Sequence, residues 1–271
     1  MPVSLSDEGR HWRARTPRAA LLIWFGWFAF AALTVWCWFI MTETTIWAFV
    51  YDAPRQAADI GARMTPPRWS YMDELWLPLW DTLNIATLGT ILGVVIATPI
   101  AFLAARTTTP STLILRPIAL FVIVASRSIN SLIWALLLVS ILGPGLLAGV
   151  IAIALRSIGF VGKLLYEALE ETDAAQIEAV SATGASRPQT LVYGYWPQIA
   201  PAFWGVSVFR WDINIRESAV LGLVGAGGLG LKLQASLNTL AWPQVTMILL
   251  VILATVIVSE WVSAKVRHAI I

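Results

Sequence analysis

Residues 167–197 read EALEETDAAQIEAVSATGASRPQTLVYGYWP, a polar stretch set between long apolar segments. Most of the chain is composed for lipid; this part is composed to be touched from water. Of the 271 residues, 58% are hydrophobic and only 13% are charged. Soluble domains carry about a quarter charged residues, so these proportions and a mean hydropathy of +0.74 describe a polytopic membrane protein. The net charge of +2 is scattered along the chain, which argues against a nucleic-acid partner. Cys37 is the single cysteine and lies between Trp36 and Trp38, so neither a disulfide framework nor a metal site follows. His11 and His268 stand near the two ends without ligand or catalytic spacing and read as solvated.

Upstream of the polar stretch, residues 117–155 are apolar apart from Arg127. As helix they would reach about 58 Å, too long for one crossing of a hydrocarbon core of about 30 Å. Gly143, Pro144 and Gly145 are the natural break, which predicts a third helix over 117–142 and a fourth over 146–166. Earlier still, residues 82–105 form a charge-free run closed by Arg106. Gly89 and Gly93 share one face of it with Thr90 and Ala97 nearby, so another helix can approach closely. Residues 43–78 mix acids, Pro54, Pro66 and Pro67 with Trp47, Trp69 and Trp76, and read as an external segment lying partly on the membrane surface. Residues 19–42 are the first apolar run, preceded by a basic tail over 1–18 that keeps its start in the cytoplasm; the run is too long for a signal peptide.

Downstream, residues 198–222 predict a fifth helix and residues 243–262 a sixth, with Lys265 and Arg267 leading into a cytoplasmic tail over 266–271. The expectation is therefore an all-α membrane protein of six spans, five of them in a core over 79–265, with both termini and the 167–197 loop on the basic, cytoplasmic side.

Gly225, Gly227, Gly228 and Gly230 spell the dinucleotide fingerprint G-x-G-x-x-G letter for letter, but no acid lies between Glu217 and Glu260 and the glycines follow a membrane helix. Close packing or backbone freedom at the outer end of a pore accounts for them better, which makes them a candidate outer gate. No P-loop motif occurs, so any ATP chemistry belongs to a partner, and this chain is expected to bind no cofactor or metal and to catalyse nothing itself.

The charges within the apolar segments carry more functional information. Arg127 and Arg156 fall near the middle of the third and fourth helices, and Arg210, Asp212, Arg216 and Glu217, with the polar Asn214 among them, fall in the fifth. Facing lipid, each charge costs about 2.5–3.5 kcal/mol on insertion scales, so these groups must face protein or water. Asp212 and Arg216 are spaced to pair along one face; Arg210 and Glu217 share the other, two turns apart, and only the first pair is expected to be direct. Four arginines against two acids leave an excess of two positive charges, which suits an anionic solute along a translocation path. Ion pairs that merely hold a bundle together remain the alternative reading.

The polar stretch resembles the cytoplasmic coupling loop of ABC-importer permeases: Glu-Ala-Ala, three residues, Gly, nine residues, Ile, one residue, Leu-Pro. Glu178, Ala179, Val180, Gly184 and Pro197 match at that spacing, with Ala185 following the glycine, while Gly194 and Trp196 replace the Ile and Leu. A short helix of small residues here can slot into a cleft of another protein, and Gly184 can turn the chain. The run Arg210-Trp-Asp-Ile-Asn-Ile-Arg216, the glycine segment after Val220, and Arg156-Ser-Ile-Gly159 resemble the phosphonate-type branch of these permeases over residues 66–271. That resemblance implies a type I importer fold in a bacterial inner membrane. It also implies a second permease, as a homodimer or as a paired paralogue, two cytoplasmic subunits that bind ATP and Mg, and an external solute-binding protein delivering phosphonate, phosphite or phosphate. An ion-coupled or channel-like oxyanion carrier is the competing class, supported by the intramembrane charges alone.

Overall fold

The computed structural model describes residues 3–6, 9–12 and 17–270. The chain divides into two compact units, Met1–Asp59 and Ile60–Ile271.

In the first unit, the basic N-terminal tail holds a small antiparallel hairpin, β1 (Val3–Ser6) with β2 (Gly9–Trp12), in which Val3 lies opposite Trp12 and which adds two short strands to a chain expected to be all-α. Helix α1 (Pro17–Glu43) opens on a proline, whose fixed φ suits a first helical turn where no amide partner is lost. Its 27 residues reach about 40 Å, and Trp24, Phe28 and Trp36 are exposed, as a span solvated by lipid requires. Helix α2 (Trp47–Met64) begins in this unit and puts Asp52, Arg55, Gln56, Asp59 and Arg63 on one polar stripe at steps of three and four. The Gln56 amide donates to Asp52 at 2.9 Å along that stripe. A helix with one polar stripe of this kind suits a membrane surface.

The second unit is a helical bundle. A short 3-10 turn, Trp69–Glu74, precedes α3 (Trp76–Ala104); then come α4 (Leu115–Ser128), α5 (Ser131–Leu142), α6 (Leu146–Glu170), α7 (Ala174–Ala182), α8 (Arg187–Thr190), α9 (Trp196–Leu221), α10 (Gly228–Asn238) and α11 (Trp242–Ile270). The central pair is α3 with α6. A β carbon on Gly89 would stand 2.7 Å from Ile153, and one on Gly93 2.5 Å from Ser157, so the glycines let the two backbones meet. The matching order of these contacts makes the helices parallel.

Their ends define the two ends of the bundle. At one, the Arg106 amide donates to Glu170 at 2.9 Å, the Arg116 side chain to the Ala104 carbonyl at 3.1 Å, and the Tyr195 hydroxyl to the Thr107 carbonyl at 3.3 Å. At the other, the Leu229 amide donates to the Thr82 hydroxyl at 2.9 Å and the Gly145 amide to the Gly225 carbonyl at 3.1 Å. The apolar core beside that second end is Tyr71, Leu75, Leu229, Met247 and Ile248.

The third span is not one helix over 117–142. It breaks between Ser128 and Ser131, and α4 and α5 meet at 89°. Asn130 takes extended backbone and its side chain accepts the Leu132 amide at 3.2 Å, capping α5 where no proline or glycine marks a break. Because α4 starts beside Ala104 and α5 ends at Gly143, the bent pair joins both ends of the bundle and crosses it. With α4–α5 and the 43° bend between α9 and α10 each counted as one span, six spans are present among the described residues. The sixth helix also runs further than 243–262: the expected tail over 266–271 is helical through Ile270. Lys265 lies 4.2 Å over the Trp261 ring and Arg267 donates to the Ser263 carbonyl, so basic residues end the apolar span without ending the helix.

Candidate functional site

Helix α9 carries two charged clusters on different faces. Arg210, Asn214 and Glu217, at steps of four and three, turn toward α3 and α6. Asp212 turns toward α11, where Ser259 donates to it at 2.8 Å and Arg216 pairs with it from the next turn. This second pair is the one expected from spacing. The first cluster departs from expectation: Arg210 and Glu217 pair directly at 3.4 Å across two turns. Arg210 is 2% exposed, donates to Ser157 at 3.0 Å and stacks 5.3 Å over Phe160. Burial with that set of partners makes it an anchor between α9 and α6.

Glu217 divides its carboxylate between two arginines, with one oxygen 3.4 Å from Arg210 and the other 3.4 Å from Arg156. Arg156 is about a third exposed and also donates to Asn130 at 3.1 Å and Ser131 at 3.3 Å, the two residues at the bend of the third span. Arg127 lies in the last turn of α4 rather than near mid-helix. Its side-chain stem fills the space that a β carbon on Gly159 would occupy, so it sits one turn along α6 from Arg156. Arg127 is exposed and has no polar partner among the described residues. The two surplus positive charges are thereby located: one shared around Glu217, one on Arg127.

Hydroxyls to which the sequence assigned no polar role complete the arrangement. The Asn214 amide donates to Thr90 at 2.7 Å and to Ser157 at 3.1 Å, while its own oxygen is buried with no hydrogen-bond partner among the described residues. Trp211 donates to Thr87 at 3.0 Å. Thr87, Thr90 and Ser157 face α9; the sequence marks Thr90 only as a residue near the glycine face of α3, and the signal that joins it to Thr87 is their three-residue step, which places both on one side of the helix.

At the opposite functional end, α7 is capped by Asp173, whose side chain accepts the Ala175 amide at 2.9 Å. Gly184 has φ +83 just past it, a left-handed turn that suits glycine. Ile177 packs inward with Leu165, Leu169 and Tyr195, whereas Glu178 and Ala179 are exposed. Gly194 lies buried under Ile177, and Trp196 stacks on Phe203 with ring centres 5.2 Å apart, so the two departures from the loop pattern are both used in packing. Pro197 is exposed in the first turn of α9. Ala185 borders a cavity of about 540 Å3 between this segment and Thr107.

The glycine segment is a tight corner rather than a nucleotide loop. Gly225, Gly227 and Gly228 have φ of +90, +89 and +70, and Gly222 and Gly230 approach so closely that a β carbon on Gly222 would stand 2.6 Å from the Gly230 Cα. Among the described residues no His, Cys, Asp and Glu cluster could hold a metal ion.

Comparison with known proteins agrees with this architecture. The family model of binding-protein-dependent transport system inner membrane components matches residues 97–268. A phosphite transport system permease protein of Stutzerimonas stutzeri is 38% identical over 241 residues, 88% of this chain and 86% of that protein. The phosphate-import permease protein of Mycolicibacterium smegmatis is 41% identical over 209 residues, covering 77% of this chain but only 39% of that longer relative. In three dimensions the inward-facing MetNI methionine ABC transporter matches with a TM-score of 0.65 at 22% identity, over 75% of this chain and 99% of that one. The chain belongs to the binding-protein-dependent transport system inner membrane components, the permease subunits of ABC importers.

Proposed function

We propose that this permease carries a phosphorus oxyanion of the phosphonate, phosphite or phosphate class into the cell. The single observation that supports it most is the arginine excess in the membrane core, divided between the shared Arg156–Glu217–Arg210 cluster and Arg127, which has no polar partner among the described residues. Charges left in this position are kept out of lipid by a partner or a water-filled path. The names of the relatives, which are phosphite and phosphate permeases, point to the same solute class. In this reading Arg127, Arg156, Arg216 and Glu217 border the path, and Arg210, Asp212 and Asn214 support it from behind. The glycine corner at 225–230 forms its outer gate.

Energy enters through α7. Glu178, Ala179, Val180, Gly184, Ala185 and Pro197 would present the segment to a cytoplasmic ATPase subunit holding ATP and Mg. A second permease copy and an external solute-binding protein complete the importer. An ion-coupled carrier would have no use for a capped helix held out on the ends of α3 and α6.

Liposomes containing the assembled importer should hydrolyse ATP faster when the binding protein is loaded with methylphosphonate, phosphite or phosphate. No acceleration by any of these, with uptake of a different solute, would overturn the solute class. Orientation has its own check. Both termini and α7 are proposed to be cytoplasmic, so a reporter fused after Thr109 or Pro188 should read inside and one near Asn238 outside; an external Pro188 reporter would refute the coupling role.

A further inference from the structure

We infer that Glu217 is a built-in stand-in for the transported anion: it occupies Arg156 when the path is empty and gives way when a tetrahedral oxyanion arrives. The inference rests on the oxyanion reading above and says how the site would hold and release its solute. Two features of the cluster carry it. First, among the described residues the Glu217 carboxylate is held by the two arginines alone, each at 3.4 Å, longer than the 2.7–2.9 Å of a tight charge-assisted bond. Asp212, by contrast, is fixed by both Arg216 and the Ser259 hydroxyl. The looser carboxylate is the one that can swing away.

Second, the two arginines differ in access. Arg210 is sealed between Ser157 and Phe160, whereas Arg156 is about a third exposed and turns its guanidinium toward Asn130 and Ser131 at the bend of α4–α5. An incoming oxyanion therefore meets Arg156 first, with the Ser131 hydroxyl beside it, and Arg127 adds positive potential one turn along α6. Two oxygens of a carboxylate bridging two guanidinium groups present the same charge pattern as two oxygens of a phosphonate or phosphate. A fixed cation with no competing acid would bind the oxyanion and keep it. The mobile carboxylate lets the site reset, because Glu217 can retake Arg156 as the solute leaves.

The test compares the permease complex, wild type against Glu217→Gln, in nanodiscs without the binding protein, using inorganic phosphate and methylphosphonate as probes and sulfate as control. Removing the competitor should tighten probe binding about tenfold or more, and the probe should raise the melting temperature of Glu217→Gln more than that of wild type; in liposomes supplied with the binding protein, the same variant should slow uptake at saturating solute. Adding Arg156→Gln to that variant should abolish the gain. Glu217→Asp keeps the charge on a shorter arm and is expected to fold normally, with binding between the two, so a misfolded Glu217→Gln would not leave the idea unexamined. Unchanged probe affinity in both variants, or tight binding that survives loss of Arg156, would overturn it. If sulfate rather than phosphate shows the gain, the competition stands and the phosphorus solute class fails.

Discussion

Replacing Gly184 by proline is expected to abolish uptake while leaving a folded permease in the membrane. Gly184 sits at φ +83 and its amide donates to the Ser181 carbonyl at 3.0 Å. Proline fixes φ near −65° and has no amide, so it cannot end α7 this way. The disturbance is local. The cap at Asp173, the Asp173 amide bonded to Gln198, and the anchoring of Ile177 over Leu165 and Leu169 lie on the other side of the helix. What changes is the course of the chain between the exposed face of α7 and Pro188. If that face is the docking surface, the change removes about 2 kcal/mol or more of ATPase binding, about thirtyfold in affinity. Glu178→Lys should act similarly without touching the backbone, because Glu178 is exposed and makes no ion pair among the described residues. The measurements are co-purification of the ATPase subunit and solute uptake, read beside the melting temperature of the permease. Normal uptake by both variants would remove α7 from the coupling role.

Much of this geometry was legible because lipid imposes its own pattern. Charge-free runs led directly to α1 and α3, and the Gly143-Pro144-Gly145 break to the start of α6, since backbone groups in a hydrocarbon core must be satisfied within a helix. The break at Asn130 escaped notice for a physical reason. It uses an asparagine cap and a hydrogen bond to Arg156 from another helix, and such a contact leaves no local composition mark. The Arg210–Glu217 pair escaped because seven residues rise about 10.5 Å, beyond the usual one-turn rule. Two long side chains reaching toward each other close that gap. The extension of α11 past Lys265 was missed because charge marks the edge of the bilayer, and a helix does not have to stop there.

Arg210 and Arg156 share one acid, yet their replacement by glutamine should give opposite phenotypes. Arg210 is fully enclosed: it ties α9 to α6 through Ser157, stacks on Phe160 and satisfies one oxygen of Glu217. Glutamine is too short to keep these contacts together, and breaking a buried pair by removing one member costs about 3 kcal/mol or more. Arg210→Gln should therefore lower the melting temperature and the yield of assembled protein, and uptake should fall in proportion to the protein lost. Arg156 is partly exposed, and its removal leaves Glu217 paired with Arg210 in a neutral cluster, so the fold should hold. Uptake per assembled complex should then drop sharply for Arg156→Gln, because the reachable cation is gone. Thermal melting and uptake, each normalised to assembled complex, separate the two. If Arg210→Gln melts like the parent but transports nothing, the buried arginine meets the solute in another conformation, and the division between anchor and contact is wrong.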